Sequence, residues 1–140
     1  MLRPMPLTPH ALLLLHAQRA FLDGRADERA LARAWAHQTL AARANGWLVA
    51  VVQWDAPPGA DWTTLFKPWT LHPDFRVEHG DLLVRAGTPD AFADSDLGAA
   101  LHTRAVQTLH PLGLPDTPEW TATLAGAQAQ GFVVAPLKPL

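Results

Sequence analysis

Two apolar runs decide the fold: Ala11-Leu12-Leu13-Leu14-Leu15 and Trp47-Leu48-Val49-Ala50-Val51-Val52. Each is short and unbroken, the pattern of a strand buried on both faces of a parallel sheet. Between them, Asp27-Glu28 opens an Ala-rich helical stretch that closes at Asn45-Gly46. Acidic residues suit a helix start, and glycine suits the left-handed position just past a helix end. Leu31, Ala34, Trp35, Gln38 and Ala42 fall at helical spacing and predict its buried face. A strand–helix–strand unit of this kind implies a right-handed crossover and parallel pairing.

Working outward, the rhythm continues after an interruption. Gln18 to Gly24 reads as a turn-ending stretch. Residues 55–80 carry Trp62, Phe66, Trp69 and Phe75 among several prolines, and so read as a lid or contact surface. Asp81 to Ala86 reads as a third strand, Ser95-Asp96 opens a short helix to His102, and Ala105 to Leu109 reads as a fourth strand. Thr117-Pro118-Glu119 opens a helix through Gln130, with an N-cap hydroxyl, proline in the first turn and an acid beside it. Phe132 to Ala135 reads as a fifth strand. This alternation predicts one α/β domain over residues 1–140: a three-layer α/β/α sandwich, Rossmann-like, around a doubly wound, mostly parallel sheet of five or six strands.

Composition narrows the function classes. The 140 residues are 49% hydrophobic and 17% charged, with a formal charge of −2. That is too apolar for a disordered chain. The scattered Lys and Arg give no footprint for nucleic acid or an anionic membrane. No run is long enough to span a bilayer, and the run before His16 lacks a cleavage signal, so the expected location is cytoplasmic. There is no cysteine, hence no disulfide, no thiolate metal site and no sulfur nucleophile. No Gly-rich phosphate loop is present, and Gly87-Thr88 lacks the spacing and the lysine of one. The seven histidines are dispersed and read mostly as surface or loop residues. No metal or cofactor is expected.

Three blocks carry a resemblance. Gln18 and Phe21 follow the first strand at the spacing Asp-x-Gln-x-x-Phe, with His16 where the Asp would be. Asp90-Ala91-Phe92 and Ser95-Asp96-Leu97 follow the third strand. Gly113, Thr123, Ala127 and Gly131 match a Gly-x-x-Thr-x-x-Cys-x-x-x-Thr-x-x-x-Ala-x-x-x-Gly pattern. In this order the blocks resemble the isochorismatase-like cysteine hydrolases, which include nicotinamidases, isochorismatases and N-carbamoylsarcosine amidohydrolases. The likeness covers residues 8–136 and implies strand order 3-2-1-4-5. It also implies a shortened chain, since the family adds a helix and more after the last strand.

The resemblance places the family's Asp, Lys and Cys on His16, Ala86 and Glu119. All three are replaced, and without sulfur the family's covalent attack on an amide-type carbonyl cannot occur. Neighbours offer partial substitutes. Arg85 adjoins the lysine position, but successive strand residues face opposite ways. Glu119 could act on water with His16 as its partner, or serve only as a first-turn acid of its helix. His16 could be a site residue or a core histidine bonded to backbone or to Glu119. Asp55 stands near the family's metal position, but residues 56–62 supply no histidine. The pocket candidates are therefore His16, Gln18, Phe21, Asp55, Arg85, Leu114, Pro115 and Glu119. The resemblance further implies a cis bond in the loop of the third block, here Leu114–Pro115. The expected function is that of a degenerate member acting by small-molecule binding or by assembly as a homo-oligomer, a dimer. The alternative is a hydrolase of amide-type small molecules using Glu119 and His16 on water.

Overall fold

The computed structural model describes residues 8–137. Five strands form one parallel sheet: β1 (His10–Leu14), β2 (Leu48–Trp54), β3 (Leu82–Ala86), β4 (Thr108–Leu112) and β5 (Val133–Val134), in the order β3-β2-β1-β4-β5. The helices are α1 (Arg19–Leu22), α2 (Glu28–Ala44), α3 (Leu97–Thr103) and α4 (Pro118–Ala129). Leu12 of the central strand pairs with Val49 on one side and His110 on the other. Among the described residues, no helix is long and apolar enough to cross a membrane.

Strand alternation sorts the side chains into two cores. Leu12 and Leu14 join Val49, Val51 and the α2 residues Ala32, Trp35 and Ala42 on one face. Ala11 and Leu13 join Ala50, Val52 and the α3–α4 residues Leu97, Leu101 and Ala127 on the other. The sheet is thus covered on both faces, which is why its central strands are apolar without interruption.

The fourth strand begins three residues later than the sequence suggests. Ala105 is spent on ending α3: its φ is +58°, and Val106 N–H donates back to Leu101 O at 3.0 Å. Such a left-handed helix end is usually glycine, so alanine gave no signal. β4 then runs through Pro111, which a central strand ordinarily excludes. Here β5 pairs only with Thr108 and Leu109, so Pro111 bonds to one neighbour and needs no second donor. The Gln18 to Gly24 stretch contains a single helical turn, α1, rather than a plain turn.

The long segment after β2 is strapped down along part of its length. Trp69 O accepts from the side-chain amides of Gln18 (2.8 Å) and Gln53 (3.0 Å), and Leu71 and Phe75 pack into the α2-side core. Of its expected contact aromatics, Phe75 is core, as is Trp54 just before it. His72 is buried as well, accepting from Asp74 N–H and contacting Glu28 at 3.0 Å. His16 and His72 are the two buried histidines; the other five are half-buried or exposed.

Candidate functional site

The carboxyl ends of parallel strands are where α/β sheets build ligand sites. At this edge, the end of β1 leads into His16, β3 ends at Ala86, and α4 begins at Pro118. A cavity of about 260 Å³ opens there. Phe21, Trp54 and Trp62 supply aromatic walls, Gly87 and Thr88 one rim, and Asp55 and Glu119 the ionisable groups. Ala86 lines it too, so two of the three replaced triad positions face one space.

His16 stands behind this wall and is fully buried. Its ring meets the edge of Phe21 at 4.8 Å. Leu114 N–H donates to Nδ1 at 2.9 Å, so Nδ1 carries no proton. The proton then sits on Nε2, which faces Thr117 Oγ1 at 3.1 Å. Thr117 uses its own proton on Leu114 O (2.8 Å), which leaves it free to accept from His16. The same hydroxyl caps α4 by accepting from Trp120 N–H at 3.3 Å. Burial holds the imidazole neutral and pushes its pKa down to about 4, against an opposing pull from Asp116. Both ring nitrogens are therefore engaged, by Leu114 and Thr117 and not by Glu119. Of the two alternatives read from the sequence, this fits the core histidine bonded to backbone and not the pairing with Glu119.

Glu119 lies in the first turn of α4. A carboxylate is favoured at a helix N-terminus. Yet its Oε2 is shielded from solvent and has no hydrogen-bond partner among the described residues. An unsatisfied buried acceptor costs about 1–3 kcal/mol, more than a helix start requires of an acid that could point outward. Asp55 is better served. Its Oδ1 accepts from Arg85 Nε at 2.7 Å and from Trp69 Nε1 at 3.3 Å. The Arg85 guanidinium lies 5.6 Å over the Trp69 ring and outside the cavity.

The remaining candidates divide. Gln18 is buried beneath the site and works as a clamp on the backbone of Trp54 and Trp69. Leu114 and Pro115 line a different groove, between α2 and α4, with Trp35 and Trp120. Among the described residues no peptide bond is cis, so Leu114–Pro115 is trans. The loop's direction is set by the bonds from Leu114 to His16 and Thr117, and the trans form meets both at no isomer cost. Sequence reasoning overlooked Thr117 as the holder of His16 and Thr123 as a tie. Thr123 is buried and bridges Pro89 O and Ala91 N–H, each at 3.0 Å, fixing the cavity's rim to α4. Its place in the third block was the one available signal.

No family model and no curated protein matches the sequence. Solved structures do. A protein assigned to the isochorismatases from Burkholderia xenovorans LB400 superposes with a TM-score of 0.81 at 26% identity, over 94% of this chain and 66% of the other. An isochorismatase from Pseudomonas putida KT2440 gives 0.81 at 18%, over 98% and 72%. N-carbamoylsarcosine amidase from Thermoplasma acidophilum gives 0.82 at 17%, over 91% and 80%. The chain thus spans just under two thirds of the first of these. With this topology, and with motif remnants in the family's order around a site that has no sulfur, the chain has the fold of the isochorismatase-like cysteine hydrolases and resembles a degenerate form of them.

Proposed function

We propose that this protein binds a small molecule in the cavity between Phe21, Trp62 and Glu119 and performs no covalent chemistry on it. The observation that carries this is the cavity itself. It persists at the carboxyl edge although its lysine and cysteine positions hold Ala86 and Glu119. A space of about 260 Å³ is smaller than a drug-sized site and suits a single-ring ligand. Water activation is the weaker reading. His16 has spent both nitrogens, and with a pKa of about 4 it takes no proton near neutrality. The test is a ¹⁵N-resolved NMR titration with single-ring fragments. Shifts concentrated at Gly87, Thr88, Glu119 and the Trp62 indole are expected. Shifts confined to other surfaces, or none, would overturn the reading.

Assembly is a second part of the proposal, carried by the tip of the segment after β2. Leu65 and Phe66 are 63% and 66% exposed, and Leu65 holds a φ of +73°. Side by side, two large apolar residues held outward by strained backbone suit a contact between copies in a homodimer. The proposed location is cytoplasmic, as the sequence reading has it.

A further inference from the structure

Resting on the reading of the cavity as a ligand site, we infer that its ligand is a small, flat, positively charged molecule with N–H donors, of the aryl amidinium or aryl ammonium class. Among the described residues, the ionisable ones lining the cavity are Asp55 and Glu119, with no Lys, Arg or His. Asp55 already has its countercharge in Arg85, 2.7 Å away and outside the cavity. Glu119 has none: Oε2 is buried and unpartnered. The site therefore offers one half-buried carboxylate with no ion-pair partner among the described residues. The α4 N-terminus offsets only part of that charge.

The walls favour the same ligand. Phe21, Trp54 and Trp62 present ring surfaces, and aromatic faces attract cations, Trp most of all. The surrounding prolines (Pro57, Pro58, Pro89 and Pro118) add apolar area without a donor of their own. A flat ring fills the space, and its N–H group meets the Glu119 carboxylate with a charge-assisted bond. An anionic ring of the same shape would be repelled by Glu119. A neutral amide can satisfy the acceptor but leaves the charge unanswered. Replacing the family's cysteine with glutamate thus turns a site for an electrophilic carbonyl into one for a cationic donor.

Three isosteric probes separate these cases on the full chain: benzamidinium, benzamide and benzoate, titrated by NMR and tryptophan fluorescence. Benzamidinium is expected to bind about tenfold or more tighter than benzamide, the equivalent of about 1.4 kcal/mol, with benzoate undetectable. Glu119→Gln is expected to abolish the preference, bringing benzamidinium down to the affinity of benzamide. Benzamide or benzoate binding in the cavity as tightly as benzamidinium overturns the charge assignment and leaves the binding reading standing. Failure of all three to shift cavity resonances overturns both. A preference that survives in Glu119→Gln also refutes the role given to Glu119. The wild-type ranking decides the question even if that variant folds poorly.

Discussion

Gln18 and Trp54 hold each other by two hydrogen bonds: Trp54 N–H donates to Gln18 Oε1 at 2.6 Å, and Gln18 Nε2 donates to Trp54 O at 2.9 Å. The same amide reaches Trp69 O, so one fully buried side chain ties the exit of β1, the end of β2 and the following segment together. Gln18→Met keeps the volume and removes the amide. Buried backbone groups left unpaired cost about 1–3 kcal/mol each, so a loss of roughly 3 kcal/mol in denaturant unfolding is expected. Faster amide exchange at Trp54 should accompany it. Unchanged stability would show that the clamp contributes nothing.

His16 makes stability depend on pH. Its folded pKa lies near 4 and its unfolded value is 6.5. Between these values the unfolded chain binds the extra proton, so stability rises with pH across the window. The contribution is fully present above about pH 6.5 and is lost as pH falls toward 4. It amounts to roughly 3 kcal/mol. Unfolding free energies measured from pH 4 to 7 should show this slope in the wild type, and His16→Asn should flatten it.

Gly113 is where the His16 ring passes closest to the backbone. A Cβ there would lie 2.5 Å from His16 Nδ1 and 3.1 Å from Leu15 Cβ. The imidazole is pinned at both nitrogens and cannot swing aside. Gly113→Ala should therefore destabilise by about 1–3 kcal/mol, the usual cost of overpacking. Gly24→Ala is a contrast, since nothing stands within 4 Å and its cost comes from a φ of +82° instead. In the double variant Gly113→Ala with His16→Ala, the penalty of the glycine change should shrink, which a thermodynamic cycle measures.

The exposed pair Leu65 and Phe66 predicts self-association. Light scattering at micromolar concentration should give a dimer mass, and Phe66→Ser should shift it toward the monomer without lowering the midpoint of unfolding at low concentration. A monomer mass for the wild type would remove assembly from the proposal.

Much of the frame was legible because it rests on local rules. The unbroken runs of β1 and β2 and the Thr117-Pro118 cap each carry their own signal. The resemblance supplied the strand order. What stayed hidden depends on distance in sequence or on the absence of a usual residue. Ala105 takes a left-handed helix end with no glycine to announce it. The protonation state of His16 is set by Leu114, 98 positions away. Neither Glu119's missing partner nor the placing of Leu114 and Pro115 in another groove can be read from spacing, because each depends on how α4 sits against the sheet.

On the proposed reading the site keeps its cavity without the covalent chemistry of a cysteine hydrolase. The most direct test of that reading is turnover of nicotinamide-type aromatic amides by the purified protein, followed as carboxylate product, in the wild type and in Glu119→Gln. No product above the uncatalysed rate is expected from either. Wild-type turnover that disappears in Glu119→Gln would contradict it and make Glu119 the base of a working hydrolase.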